Sequence, residues 1–198
     1  MTQDQLAHTV LPLAELTKAE IRAKADEAGL AVAHKSDSQD ICFVPDGDYA
    51  AVIARLGVKS KQGNFVHMNG TVLGKHKGQL HYTIGQRKGL GVSYEYPLYV
   101  ISKDMATNTV VLGPNDALFS KELWASAVNF ITVDKLTEPM RVTAKARYRM
   151  KDVPATIEAA EDGLVHVIFD EPQRAITPGQ AVVFYDGQYV VGGGIIER

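Results

Sequence analysis

The fold is indicated most clearly by one alternating run, Arg141-Val142-Thr143-Ala144-Lys145-Ala146-Arg147-Tyr148-Arg149-Met150-Lys151. Its odd positions carry arginine, threonine or lysine, and its even positions are apolar or aromatic. Because successive side chains of a β-strand point to opposite faces, the run predicts a strand with one face on a core and the other lined by cations. Alternate residues on that face lie about 6.6 Å apart, a spacing close to that of neighbouring phosphates along a nucleic-acid strand.

The cationic face has two interpretations. Lysine and arginine contacts to phosphates supply most of the non-specific affinity of proteins for nucleic acids, and we therefore favour RNA or another polyanion on this face. The alternative is the solvated outer face of an ordinary barrel strand, although such faces usually mix charges of both signs.

Short strands and tight turns surround this run. Asp162-Gly163 and Asp186-Gly187 each separate two apolar segments, and Asp-Gly pairs favour β-hairpin turns. About six strands in so short a region, with little helical signal, favour a closed barrel over an open sheet. The prediction is a mainly β protein with a six-stranded antiparallel β-barrel over residues 117–198.

A smaller β region precedes the barrel. Asn69-Gly70 predicts a two-residue hairpin turn, because this pair tolerates the positive φ angles of a type I′ turn. Apolar runs at residues 98–101 and 109–112 predict a second strand pair, and Gly113-Pro114-Asn115 then breaks the chain. These signals place a central β domain at residues 58–116.

The first 57 residues have helical signals. Thr17 and Glu20 have the spacing of a capping box, and Gly29 supplies a left-handed residue that ends a helix, so a helix is predicted over residues 18–28. Asp48 is a suitable N-cap for a second helix over residues 49–56. These helices are too few and too exposed to form a core by themselves, which is the first hint of a truncated domain.

The net charge of −2 is unevenly distributed. Residues 1–48 hold four basic and nine acidic residues, residues 49–94 hold seven basic and none acidic, and residues 95–198 hold ten and fourteen. The basic stretch suggests a surface for a polyanion, although a small domain can also be basic by chance. Glycines, cations and aromatics at residues 74–91 suit single-stranded RNA, and a tight turn region explains the glycines equally well.

Composition argues against several classes of function. No apolar run approaches the roughly 18 residues that span a bilayer, and the N-terminus lacks a secretory signal pattern. The single cysteine, Cys42, excludes an internal disulfide and a cysteine-rich zinc site, and it fits a reducing cytoplasm. The chain also contains no phosphate-binding glycine loop and no hydrolase or metalloprotease motif. A cytoplasmic, non-membrane protein without a metal is therefore expected.

Cys42 is the one candidate thiol nucleophile. A lone cysteine between two apolar residues is more often a small buried hydrophobic residue. A polar loop precedes it, in which His34 and Lys35 would favour the thiolate if they fold back, whereas Asp37 and Asp40 would oppose it. The residues alone leave both interpretations open.

Several segments resemble segments of the tRNA-specific 2-thiouridylases, and they follow one another along the chain in the same order as in that family. They are Lys35-Ser36-Asp37-Ser38-Gln39-Asp40-Ile41-Cys42-Phe43, the run from His81 to Gly91, Arg147-Tyr148-Arg149, and residues 177–185 with 192–196. The resemblance implies an enzyme that thiolates C2 of the wobble uridine of tRNA. ATP with magnesium activates the base in that family, and a cysteine desulfurase or persulfide carrier supplies the sulfur.

The same resemblance implies roles for single residues. Cys42 matches the catalytic cysteine, which carries the persulfide and afterwards forms a disulfide with a partner cysteine. Arg147, Tyr148 and Gln180 match positions that contact tRNA, and the barrel resembles the second domain of elongation-factor GTPases. Lys145 and Arg149 join the tRNA-binding candidates because they share the cationic face.

The chain departs from the family pattern in one respect. The Ser-Gly-Gly-x-Asp-Ser loop of the family's PP-loop ATP pyrophosphatase domain and the partner cysteine do not occur in the 198 residues. Residues 1–57 are therefore expected to be the helical tail of that domain, and the chain a C-terminal fragment that binds no cofactor and is inactive alone. The rival hypothesis is a non-catalytic RNA-binding barrel in which Cys42 is inert.

Overall fold

The computed structural model describes residues 1–35, 49–57, 60–148 and 150–197. It divides into two compact units, Met1–Val58 and Lys59–Arg198. The first unit is helical where it is described, and the second contains a four-stranded sheet and a closed barrel. The predicted mainly β fold is therefore confirmed.

The α-helices of the first unit are short: α1 Gln3–Ala7, α2 Lys18–Glu27 and α3 Tyr49–Arg55. The predicted capping box of α2 is present, since Thr17 accepts from the Glu20 amide and Glu20 accepts from the Thr17 amide at 2.7 Å. Asp48, the predicted cap of α3, lies outside the described residues. In the described ranges no helix is long and apolar enough to cross a membrane.

The first part of the second unit is a mixed sheet of four strands, in the order β2-β1-β4-β3. Strands β1 and β4 are parallel, and the other two pairs are antiparallel, so the predicted pairing of the runs at 98–101 and 109–112 is confirmed. The strands are β1 Gly63–His67, β2 Val72–His76, β3 Tyr99–Asp104 and β4 Thr109–Gly113. Their core contains Phe65, Tyr82, Leu90, Leu98, Val100, Val110 and Leu112.

The turn between β1 and β2 differs from the prediction. The His67 amide donates to the Thr71 carbonyl at 2.8 Å, so three residues and not two form the loop. Of Asn69 and Gly70, only Gly70 has a positive φ (+92°), whereas a type I′ turn needs two. The Asn69 side chain instead accepts from the Thr71 amide at 3.0 Å, a local bond that favours the longer loop.

The second part is a closed six-stranded antiparallel barrel, as predicted, in the order β10-β5-β8-β7-β6-β9. Its strands are β5 Phe119–Phe130, β6 Met140–Lys145, β7 Val153–Ala159, β8 Val165–Arg174, β9 Ala181–Asp186 and β10 Tyr189–Ile196. The predicted hairpins join β7 to β8 and β9 to β10. Large side chains fill the interior, among them Leu123, Ile157, Phe169 and Phe184.

Strand β6 is shorter than the sequence predicts. Val142, Ala144 and Ala146 are 6%, 1% and 2% exposed, so the predicted alternation holds over these positions. Pairing with β7 and β9 ends at Ala144 and Lys145 respectively, and the chain then turns. The prediction of a strand through residue 151 is therefore wrong, because the described residues between Lys145 and Val153 form the turn into β7.

Candidate nucleic-acid interface

The outer face of β6 carries charges of both signs. Arg141 forms a bidentate pair with Asp170, both N–O distances being 2.8 Å, and it also donates to Thr156 at 3.0 Å. Hydrogen bonding to Asp170 raises the pKa of Arg141, and the same bond lowers the pKa of Asp170. The expected line of unpaired cations therefore does not include Arg141.

The next outward position also faces an acid. The Thr143 hydroxyl donates to Asp152 at 2.6 Å, and this bond is the main reason that the pKa of Asp152 is lowered. Lys145 contributes to the same lowering through its charge. The β6 face is consequently cationic only towards the end of the strand, at Lys145.

Beyond this strand end, a cation and an exposed aromatic ring lie side by side. The Lys145 ammonium is 5.8 Å from the centre of the Tyr148 ring, within the range of a cation–π contact. Tyr148 is 93% exposed. An exposed ring beside an ammonium offers a stacking surface for an unpaired base and a contact for its phosphate.

Arg147 points towards the central sheet region and is half-buried. Its Nη2 donates to the carbonyl of Ala175, to the Thr177 hydroxyl at 2.6 Å and to the Ile84 carbonyl at 3.4 Å. Its Nε is buried and has no hydrogen-bond partner within the described residues. Burial lowers the pKa of Arg147, and the nearby charge of Arg174 lowers it further.

Arg174, at the end of β8, is the second cation of this junction. Its Nε donates to Asn115 at 3.0 Å and its Nη2 to the Gly85 carbonyl at 3.5 Å, while its guanidinium lies 5.4 Å from the Tyr99 ring. The partners of both arginines are neutral, so the positive charges of Arg147 and Arg174 lie close together without a carboxylate among these partners. The Nε of Arg147 is the donor that has no partner in the described part of the chain. Such a pair of charges, here called the arginine junction (Arg147 and Arg174), favours the approach of an anion.

A tight backbone contact builds the arginine junction. Gly85 has φ +88°, and a Cβ at this position would lie 3.1 Å from the Cβ of Ala175. Ala175 itself is 1% exposed and has φ +57°. The loop that precedes β3 lies so close to the end of β8 that a side chain at residue 85 would crowd Ala175.

Gln180 lies on a turn that Arg147 also reaches. The Gln180 amide donates to the Thr177 carbonyl at 3.2 Å, and the Thr177 hydroxyl accepts from Arg147. Gln180 is exposed and immediately precedes β9. The structure therefore brings the Arg147-Tyr148 pair and the turn that carries Gln180 to the same end of the barrel.

Two predicted site residues, Cys42 and Arg149, lie outside the described residues. Of the residues expected to influence the thiol, His34 and Lys35 are described. The Nε2 of His34 lies 2.9 Å from an Asp26 carboxylate oxygen, and Lys35 is exposed. Within the described ranges, no group of three or more histidine, cysteine, aspartate or glutamate residues could hold a metal ion.

A second aromatic surface of the barrel has a different charge. Trp124 and His166 stack at 4.5 Å with an interplanar angle of 8°. His166 is also 2.7 Å from Glu122 and 3.1 Å from Glu158. Two carboxylates at this position repel phosphate, so the surface suits RNA less well than the arginine junction does.

Sequence reasoning did not identify Arg174. Residue 174 follows the predicted hairpin strand at a position without any alternating pattern, and its nearest functional neighbours are far away in sequence. Only the closure of the barrel brings it to Arg147, and the Gly85 contact then completes the site.

Comparison with known proteins covers almost the whole chain. Residues 1–46 match the family model described as a tRNA methyl transferase HUP domain, residues 52–114 the tRNA methyl transferase PRC-barrel domain, and residues 120–196 the aminomethyltransferase beta-barrel domain. The relatives include the proteins named tRNA-specific 2-thiouridylase MnmA of Acetivibrio thermocellus, Clostridioides difficile and Halothermothrix orenii, which are 56%, 53% and 50% identical. All of the chain aligns with each relative, and it spans about 55% of their length.

Proposed function

Because the chain belongs to the tRNA-specific 2-thiouridylase family, we propose that it takes part in exchanging oxygen for sulfur at C2 of the wobble uridine of tRNA. Identity of at least 50% along the whole chain to proteins named as 2-thiouridylases supports this reaction. The names of the matching family models mention methyl transfer, but the similarity to named 2-thiouridylases along all 198 residues favours sulfur chemistry. We place the reaction in the cytoplasm, where a reducing environment keeps the thiol free.

The observation that carries the tRNA-binding part of the proposal is the arginine junction. Two guanidiniums with neutral partners lie close enough to influence each other's charge. Arg147 is followed in the chain by Tyr148, whose exposed ring lies 5.8 Å from the ammonium of Lys145. The junction would accept a backbone phosphate, and the tyrosine would stack on an unpaired base. In this proposal Lys145, Tyr148 and Gln180 contact the RNA, and Arg149 adds a further cation.

The sulfur chemistry is assigned to Cys42. A cysteine desulfurase or a persulfide carrier would transfer one sulfur atom to the thiol. Once ATP has adenylated the C2 oxygen, the terminal sulfur of the Cys42 persulfide would attack C2, and AMP would leave with that oxygen. A second thiolate would then attack the Cys42 sulfur, which releases the thiolated base and leaves a disulfide for a thiol reductant to open. Cys42 is the only cysteine here, so the second thiol would come from outside these 198 residues.

The family's adenylating loop is also not among these residues. We therefore propose that the 198 residues alone bind tRNA without thiolating it. Incubation with ATP, tRNA and a cysteine desulfurase should leave the tRNA unthiolated, while a gel-shift assay detects binding. Thiolated tRNA from the chain alone would contradict this part of the proposal.

Persulfide formation tests the role of Cys42 directly. The chain is incubated with a cysteine desulfurase and cysteine, and intact-protein mass spectrometry measures any added sulfur. We expect one sulfur atom that a thiol reductant removes, and none on the Cys42→Ser variant. Equal labelling of both proteins, or no labelling of either, would refute the role of Cys42. With tRNA binding retained, that result would favour a non-catalytic RNA-binding barrel.

A further inference from the structure

A pocket beside the central sheet has no role in the scheme above. Its volume is about 470 Å³, and it is lined by Arg87 and by residues 89–98. The volume lies within the range of about 300–1,000 Å³ that is typical of ligand sites. The segment that forms it leads into β3, and we call it the central pocket (Arg87 and residues 89–98).

Interlocked aromatic rings form one wall of the central pocket. His67 stacks on Tyr94 with centroids 5.0 Å apart, and its Nε2 lies 2.8 Å from the Tyr96 hydroxyl. The two tyrosines meet edge-to-face at 4.9 Å. Both tyrosines are half-buried and line the pocket. Mutual packing holds these rings in place before any ligand arrives, which reduces the entropy cost of binding.

The pocket is also lined by a cation and by an open stretch of backbone. Arg87 is exposed, and the adjacent loop is fixed because the Gln86 side chain bonds the Thr83 amide at 3.0 Å and the Lys88 carbonyl at 2.9 Å. Gly91 has φ +67° and open space where a side chain would be. A ligand can therefore approach the backbone closely at this point.

We propose that the central pocket binds one unpaired nucleotide of tRNA, with the base against Tyr94 and Tyr96 and the phosphate at Arg87. Aromatic side chains that stack on extruded bases are the common means of recognising single-stranded RNA. Glu95 also lines the pocket; its carboxylate repels phosphate, which leaves the Arg87 side for the phosphate, and it can accept from an N–H of the base. This inference rests on the proposed function and adds a second RNA contact, separate from the arginine junction.

The electrostatics of the surrounding segment agree with this assignment. Within the same unit, residues 59–94 carry six basic residues and no acidic residue, so Glu95 is the first carboxylate after a long cationic stretch. A polyanion is drawn to such a stretch, and a single acceptor within the pocket then distinguishes a base from a phosphate. The pocket thereby gives a role to Arg87, Gly89 and Gly91, which belong to the glycine-rich and basic residues 74–91.

Arg87→Gln is the primary test, because the side chain is exposed and its removal leaves the aromatic wall intact. Affinity for a tRNA transcript is measured by fluorescence anisotropy at several salt concentrations. We expect the Kd to rise roughly three- to tenfold and the salt slope to fall by about one. Lys135→Gln, which removes an exposed cation of the barrel, is the matched control and should change neither quantity.

Ultraviolet cross-linking followed by mass spectrometry gives a readout that needs no variant. Cross-linked nucleotide on Tyr94 or Tyr96 is expected for the unaltered chain. Tyr96→Phe keeps the ring and should keep a cross-link in this segment. Unchanged affinity of Arg87→Gln, or no cross-link between residues 87 and 98, would overturn the central pocket as an RNA site. The proposed function would survive either result if Arg147 or Arg174 variants still weakened tRNA binding.

A free nucleotide shares this chemistry with RNA, and competition separates the two sources. If the pocket takes a nucleotide of tRNA, millimolar uridine or guanosine monophosphate should leave the cross-link to the tyrosines in place. Loss of the cross-link at micromolar mononucleotide would show a site for a free nucleotide and would overturn the RNA assignment.

Discussion

Arg174→Gln should change the free energy of unfolding little and should weaken RNA binding more strongly. In the free protein the change removes a cation–π contact with Tyr99 and weakens two hydrogen bonds to neutral acceptors. Those losses are worth about 1 kcal/mol together. The repulsion between Arg147 and Arg174 disappears at the same time, so the two effects offset each other. We expect the free energy of unfolding to change by less than about 1 kcal/mol, or roughly 2–4 °C in Tm.

The free energy of RNA binding should fall by more than the free energy of unfolding does. Each phosphate contact to a single strand contributes about 0.7 to the slope of log K against log salt. At about 0.1 M salt the loss of one contact therefore weakens binding roughly fivefold, which corresponds to about 1 kcal/mol. The fold-change should shrink as the salt concentration rises, because the lost term is electrostatic.

Filter binding with a tRNA transcript at four salt concentrations, together with thermal unfolding, measures both effects. Arg141→Gln is the matched control, because that arginine is already paired with Asp170 and lies away from the junction. If Arg174→Gln lowered Tm strongly and left the Kd and its salt slope unchanged, Arg174 would be a structural residue. The assignment of the arginine junction to phosphate would then be refuted.

Two further predictions concern stability. Gly85→Ala should destabilise the chain by more than about 1 kcal/mol in a urea titration, because it combines a strained φ of +88° with a Cβ contact of 3.1 Å to Ala175. Gly163 has φ +73° but open space around it, so Gly163→Ala should cost less in the same titration. Because the pKa of Asp170 is lowered in the folded state, its pair with Arg141 stabilises the fold above the ordinary aspartate pKa of about 3.9. That contribution is lost as the pH falls through the lowered pKa, so Asp170→Asn should flatten the dependence of stability on pH below about 4; an unchanged pH profile would contradict the pairing.

The features that sequence reasoning predicted correctly depend on neighbours in the chain. The capping box of α2 needs only Thr17 and Glu20, and the hairpin of β9 and β10 needs only a short turn after Asp186. Closure of the barrel follows from strand number and alternation, since six short amphipathic strands bury their apolar faces best when no edge remains. The assignment of Arg147 and Gln180 to tRNA binding stays a prediction, although both residues bond Thr177.

The features that were missed depend on contacts between distant segments. Alternation alone could not show that Asp170 pairs with Arg141, because the two residues are 29 positions apart. The end of β6 at Lys145 is set by where its partner strands stop. Arg174 belongs to the site because the loop at Gly85 lies against the end of β8, a contact between segments 89 positions apart.

The RNA-binding end of the barrel can be located by titrating an isotope-labelled chain with an anticodon stem-loop and recording amide chemical shifts. The account predicts that the largest shifts fall at residues 145–148, at Arg174 and at residues 177–180. Shifts centred instead on the Trp124 and His166 surface, or no saturable shifts at low salt, would contradict it.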